Sequence, residues 1–326
     1  MPKQAVLLLA HGTPETVDQI PEYLRNVVSG RPLPEHVIEE IKHRYSLIGR
    51  SPLTEITIEQ GKMVEAELTM EGIDVEVYVG MRNWKPYIPD VVRKMRADGV
   101  EEAAVICLAP QNSRTSVGLY KRAVQAEAGS LKIDFTESWA RDPLLADAFA
   151  ERLRSAESRL TDELGAPVPV LFTAHSVPTR TVQPPETPSA GPRNWPGEGA
   201  DPYADDARAT AGLVAARVPA IPKWWFAFQS QGASGGPWIG PTVEETLAAI
   251  AAEGAKTLLL QPIGFLCDHV EILYDVDIAF KDYAKTLRIR LERPESLNAS
   301  LTLARTISGL AMRGLRRLQE CDSPIA

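Results

Sequence analysis

His175 follows the apolar run 168–173 (VPVLFT) and Ala174. Such a run reads as a buried strand, and a residue at the end of a parallel strand points out of the sheet edge, where an imidazole can exchange a proton near neutral pH. Residues 266–283 (LCDHVEILYDVDIAFKDY) supply oxygens. Asp268, Glu271, Asp275 and Asp282 fall at i, i+3, i+7 and i+14, which at helical spacing makes one acidic stripe beside an apolar face of Val270, Leu273, Tyr274 and Ile278. Stacked like charges weaken a helix unless cations sit among them. A lone histidine can be purely structural, and an acidic face on an acidic protein is ordinarily solvated. Here both features follow strands of what reads as one sheet, which favours a divalent cation between them. A His nitrogen with Glu and Asp oxygens suits ferrous iron, zinc or manganese. One His and one Glu leave coordination positions open, as a site that passes its metal on requires.

The elements that would position these groups come from an internal repeat. Residues 5–9 (AVLLL) precede Ala10-His11-Gly12-Thr13-Pro14, and 168–173 precede Ala174-His175-Ser176-Val177-Pro178, so both halves open as strand then A-H-x-x-P. The correspondence continues in order: 75–80 with 224–229, 103–108 with 257–260, and 132–136 with 287–291. Short apolar runs alternating with helical periodicity predict an α/β fold, with one four-stranded parallel sheet per half and helices on both faces. The halves meet near residue 150, inside a helix expected over 143–163, giving units 1–150 and 151–326, the second carrying His175 and Glu271. Ligands of such sheets bind beyond the carboxyl ends of the strands. The loops to read are therefore those at His11, Asn83, Gln111, His175, 229–236 and 265–275. Residues 179–203, rich in Pro and Gly, suit a lid or lip over that site.

Composition narrows the function classes. The 326 residues carry 35 Lys plus Arg against 43 Asp plus Glu, a net charge of -8, which argues against a nucleic-acid partner held by bulk charge. Cys107, Cys267 and Cys321 are scattered with no CxxC spacing, so neither a disulfide framework nor an iron–sulfur cluster is expected, and the compartment reads as reducing. The apolar N-terminal run is short and reads as a strand rather than a signal peptide, and no run of apolar residues is long enough for an integral membrane segment. The cytoplasm is the expected location. No GxGxxG after a strand, Walker A motif or GxSxG elbow competes for the function.

Five segments together resemble ferrochelatase: 171–178 (LFTAHSVP), 229–241 (QSQGASGGPWIGP), 262–275 (PIGFLCDHVEILYD), 108–120 (LAPQNSRTSVGLY) and 44–56 (RYSLIGRSPLTEI). The resemblance spans almost the whole chain. It implies two Rossmann-like chelatase domains around a porphyrin cleft, and insertion of ferrous iron to make heme. It places the catalytic and metal-binding pair on His175 and Glu271, with Asp275 a further metal residue. It puts His11, Arg44, Ser51, Trp84, Tyr87, Tyr120 and Trp238 at the porphyrin, Ile88 in apolar contact, and Arg114 and Lys85 with Arg44 as propionate partners. His11 stands where soluble bacterial members commonly have Tyr, and Ala279 where some carry a further acidic residue. The resemblance implies a monomer with no permanently bound cofactor, iron being substrate. On this basis His175 would act as a near-neutral base while Glu271 and Asp275 present iron. The ring could be protoporphyrin IX or coproporphyrin III. Two other functions stay open at this stage: a cobalt or nickel chelatase of a sirohydrochlorin-type ring, and a non-catalytic tetrapyrrole carrier.

Overall fold

The computed structural model describes residues 2–182, 201–231 and 236–321. The expected lip at 179–203 lies for the most part outside the described residues, as does the side chain of Cys321.

The first half runs β1 (Gln4–Ala10), α1 (Ile20–Val27), α2 (Glu35–Ile48), α3 (Leu53–Met70), β2 (Glu76–Met81), α4 (Ile88–Ala97), β3 (Glu102–Cys107), α5 (Val117–Ala128), β4 (Lys132–Thr136) and α6 (Pro143–Leu164). The second runs β5 (Val170–His175), α7 (Thr179–Val182), α8 (Tyr203–Ala216), β6 (Trp224–Gln229), α9 (Val243–Ala252), β7 (Thr257–Pro262), a π-helix (Glu271–Phe280), α10 (Lys281–Thr286), β8 (Arg290–Glu292) and α11 (Leu301–Cys321). All strand pairs are parallel, ordered β2-β1-β3-β4 and β6-β5-β7-β8, so the two halves share one topology. The likeness extends into the loops: Met81 N–H donates to Pro86 O at 2.7 Å after β2, and Phe228 N–H to Pro241 O at 2.8 Å after β6.

Central strands of a parallel sheet are buried on both faces and so read as unbroken apolar runs. Ala5 through Leu9 are all fully buried, as are Val170 through Phe172. One face of the first sheet packs on α4 and α5 through Leu7, Val92, Met95 and Val124, and the outer face of the second on α9 and the π-helix through Leu171, Leu247, Ile272 and Val276. The remaining two faces share a single core with α6 and α11. That core exchanges the last helix of each half. α11, last in the chain, lies on β3, β4 and α3, while α6 packs against α8, β7 and α11. Gly314 of α11 makes this close approach possible, since a Cβ there would sit 2.9 Å from Ala104 Cβ of β3. The division near residue 150 falls inside α6, and strand order divides there although helix packing does not. The fourth strand of the second half is also displaced from the expected 287–291: α10 ends at Thr286, Arg288 adopts φ 59°, and the strand starts only at Arg290.

Candidate active site

In each sheet the first strand of the half, β1 or β5, is flanked by the second and third. The crevice between β1 and β3, or β5 and β7, is therefore the switch point where ligands of such sheets bind. The two crevices face a common cavity of about 350 Å³, within the range of small-molecule sites. Its walls come from both halves, with His11, Tyr23, Arg82 and Tyr120 from the first and His175, Trp238, Phe265 and Glu271 from the second.

His175 is the last residue of β5, paired in register with Gln229 of β6. Its backbone is fixed by Tyr203, whose hydroxyl donates to His175 O at 2.8 Å, and by the next residue, Ser176, whose N–H donates to Gln229 O at 2.6 Å. The imidazole Nδ1 is hydrogen-bonded to Ser176 O, which leaves Nε2 to face the cavity. Glu271 reaches it because Gly264 lets the loop after β7 run tight over the end of β5, where a Cβ would meet Ala174 Cβ at 3.1 Å. That loop carries Phe265 against the imidazole, with ring centroids 6.2 Å apart, and delivers Glu271 as the first residue of the π-helix. Glu271 Oε2 lies 3.5 Å from His175 Nε2, and both side chains keep about a third of their surface open to the cavity (31% and 33%). At that separation the contact is electrostatic, and among the described residues Glu271 Oε2 has no hydrogen-bond donor. Burial works against charge on both groups. Their mutual attraction prevails, holding His175 well above the ordinary imidazole range and Glu271 well below the usual carboxylate range. The two groups thus form one charge-coupled pair, in which His175 holds a proton more tightly than a free imidazole.

The acidic stripe does not form. The segment is a π-helix, whose wider turn abolishes the 3.6-residue period on which the stripe was built, and such turns cluster at functional sites. Asp268 precedes the helix and faces Ser296 and Asn298, while Asp282 is exposed and pairs with Lys285 at 2.7 Å. Asp275 is buried, and both its oxygens are taken: Arg44 Nη1 lies 3.1 Å from Oδ1 and Ser230 Oγ 2.5 Å from Oδ2. Burial, with repulsion from Glu271, raises its carboxyl to about 6 against the pull of Ser230 and Arg44. The described residues contain no cluster of three His, Cys, Asp or Glu ligands, so the geometry presents the His175–Glu271 pair with Asp275 engaged elsewhere.

The expected porphyrin residues divide. His11, Tyr120 and Trp238 line the cavity, but Arg44, Ser51, Trp84 and Tyr87 do not. Trp84 is 4% exposed and packs edge-on against Tyr23 in a cluster with Ile20, Leu24 and Tyr45, behind the wall. Tyr87 is half-buried beside Asn26, whose Nδ2 donates to its hydroxyl at 3.1 Å, and Ile88 is core. The Arg44 guanidinium holds Glu40 and Asp275 and lies over the Tyr274 ring at 4.9 Å. Lys85 is exposed, and the Arg114 backbone and side chain face Asp201. Arg82 and Tyr23 are wall residues that sequence reasoning missed. Arg82 lies over Tyr120 at 5.4 Å, and its place directly after β2 could have flagged it. Tyr23, on α1, carried no sequence signal.

His11 closes the wall opposite His175. Its Nε2 is 2.8 Å from Tyr23 Oη, and Asn83 Nδ2 lies 3.2 Å from the ring. Burial, reinforced by the charge of Arg82, lowers its pKa from 6.5 to about 3, so the imidazole is neutral. The unfolded chain binds a proton below pH 6.5 that the native chain refuses until about 3, so the stability this site contributes is complete above 6.5 and falls as pH drops through that window. His11→Gln should flatten this acid limb. Urea midpoints measured at intervals down to about pH 4 should fall less steeply for the variant than for the wild type.

The ferrochelatase family model matches residues 3–315. The chain is 58% identical to a ferrochelatase of Acidobacterium capsulatum, over 99% of this chain and 98% of that protein. It is 32% identical to a coproporphyrin III ferrochelatase of Geobacillus sp., over 97% of this chain and 98% of that protein. Its fold resembles that of SirB from Bacillus subtilis with Fe3+, at a TM-score of 0.58 and 13% identity, covering 98% of each chain. No helix among the described residues is long and apolar enough to cross a membrane. With an imidazole and a carboxylate paired at the wall of one cavity between two like sheets, the chain belongs to the ferrochelatase family, enzymes that insert iron into a porphyrin in heme biosynthesis.

Proposed function

We propose that the chain inserts ferrous iron into coproporphyrin III at the His175–Glu271 pair. The observation that carries this reading is the Glu271 Oε2 atom, buried against an imidazolium and without a hydrogen-bond donor among the described residues. Such an oxygen can take a divalent cation without first surrendering a hydrogen bond. Insertion replaces two pyrrole protons by one Fe2+, so cation and protons must pass through the same space in opposite directions. Iron on Glu271 competes with His175 for the same negative charge. As that charge is taken up the imidazole holds its proton less tightly and passes it to water, and Nε2 can then accept the two pyrrole protons one after the other, handing each to water in turn. Tyr120 and Trp238 offer ring contacts and His11 faces the ring from the first half.

The choice of ring is supported by the first-half wall, where Arg82 is joined by the hydroxyls of Ser113, Thr115 and Ser116. Donors of this kind suit carboxylates, and coproporphyrin III has two propionates where protoporphyrin IX has vinyl groups. Relatives at this distance include several named coproporphyrin III ferrochelatases. The enzyme acts in the cytoplasm as a monomer, with no resident cofactor or iron–sulfur cluster, iron being substrate. The sirohydrochlorin-type alternative rests on a likeness in fold alone, at 11% identity to a cobalt-bound sirohydrochlorin chelatase. Anaerobic insertion rates on both porphyrins test the proposal. Coproporphyrin III should exceed protoporphyrin IX in kcat/KM by about tenfold or more, the effect of one or two polar contacts. The reverse order would overturn the ring assignment, and insertion into neither would overturn the function.

A further inference from the structure

One guanidinium ties the segment before the π-helix to the helix's middle. Arg293 follows β8, and its side chain is 11% exposed. Its Nε and Nη2 donate to Asp277 Oδ1 and Oδ2 at 3.1 and 2.7 Å, a bidentate pair, while Nη1 lies 3.3 Å from Asp268 Oδ1. Asp268 is itself fixed, accepting from Ser296 Oγ at 2.7 Å and Asn298 Nδ2 at 2.9 Å, with its N–H donating to Asn298 Oδ1 at 2.9 Å. Lys281 Nζ adds a contact to Asp277 at 3.2 Å. Glu271 lies in the chain between the two carboxylates that Arg293 joins.

A π-helix is an uncommon conformation, since the α-helical hydrogen-bond pattern is ordinarily preferred. Tightening the turn would rotate successive side chains about the axis and swing Glu271 relative to Asp277. Without a cation between them, Asp268 and Asp277 would also repel at close range. Resting on the assignment of Glu271 above, we propose that Arg293 is a positioning residue for iron insertion: by clamping Asp268 to Asp277 it keeps the π-helix in the wide turn that aims the Glu271 carboxylate at His175. Asp268 and Asp277 thus serve the clamp.

The test uses Arg293→Met, Arg293→Lys and Asp277→Asn in the full-length enzyme, with porphyrin affinity from absorbance titration and kcat from anaerobic insertion. Arg293→Met should lower kcat by about 10²-fold, the scale of a misplaced catalytic group, with porphyrin Kd held within about threefold. Lysine, which restores the charge but not the bidentate geometry, should recover part of the loss. Asp277→Asn, the milder change and the deciding one should Arg293→Met not fold, should lower kcat in the same direction at unchanged porphyrin Kd. Wild-type kcat in a folded variant, or a loss that resides wholly in porphyrin affinity, would overturn the clamp. Failure of the underlying assignment would show separately, as turnover surviving in Glu271→Gln.

Discussion

Glu271→Gln is expected to lower the rate of iron insertion by about 10³-fold or more, at unchanged porphyrin affinity. The amide matches the carboxyl in shape, so packing at the start of the π-helix is kept. What is lost is the negative charge, which does two things in the native site. It offers Fe2+ an oxygen without a competing hydrogen-bond donor, and it holds the proton on His175. With the charge gone, burial is opposed only by the hydrogen bond to Ser176 O and the more distant charge of Asp275, so the imidazole pKa falls and His175 gives up its proton more readily. The variant therefore keeps its base but has no cation acceptor. Turnover by initial-rate absorbance under anaerobic conditions, beside porphyrin titration, measures this, and near-native turnover would remove Glu271 from the mechanism.

His175→Ala carries the second large effect, a loss of about 10² to 10⁴-fold, the usual contribution of a positioned acid–base group. The substitution leaves Glu271 facing the cavity without its counter-cation. Burial then pushes the carboxyl upward, while no imidazolium any longer competes with the cation for its charge; the function that is lost is proton acceptance. His269 lines the same cavity, but it does not substitute: its Nδ1 lies 3.0 Å from Cys267 O, and burial lowers its pKa. Activity in His175→Ala within a few fold of wild type would show that the pyrrole protons leave by another route.

Much of the fold was legible because parallel strands are buried on both faces. Residues 5–9 and 168–173 announce β1 and β5 as unbroken apolar runs, and matching loops reveal the duplication. The A-H-x-x-P loops were legible as sites for the same reason, since the residue after a strand is placed by the sheet and not by its own preference. The exchange of α6 and α11 was not legible. An amphipathic period shows that a helix buries one face without saying against which sheet. The π-helix was hidden more deeply, because nothing in the composition of residues 271–280 separates it from an α-helix. Assuming a 3.6-residue period aligned Asp268 and Asp282 with Glu271, whereas the structure turns Asp268 to Arg293 and Asp282 to Lys285. Trp84 was ambiguous for another reason: an aromatic residue after a strand can face a ligand or brace a wall, and its edge-on contact with Tyr23 puts it in the packing behind the wall.

The central claim is that His175 and Glu271 act as one unit, and a double-mutant cycle tests it most directly. Anaerobic insertion rates of His175→Ala, Glu271→Gln and the double variant, each normalised to bound porphyrin, should show the double variant no slower than the more damaged single one, because removing either member already disables the pair. Losses that multiply in the double variant would mean that the two residues contribute independently, and would contradict the account.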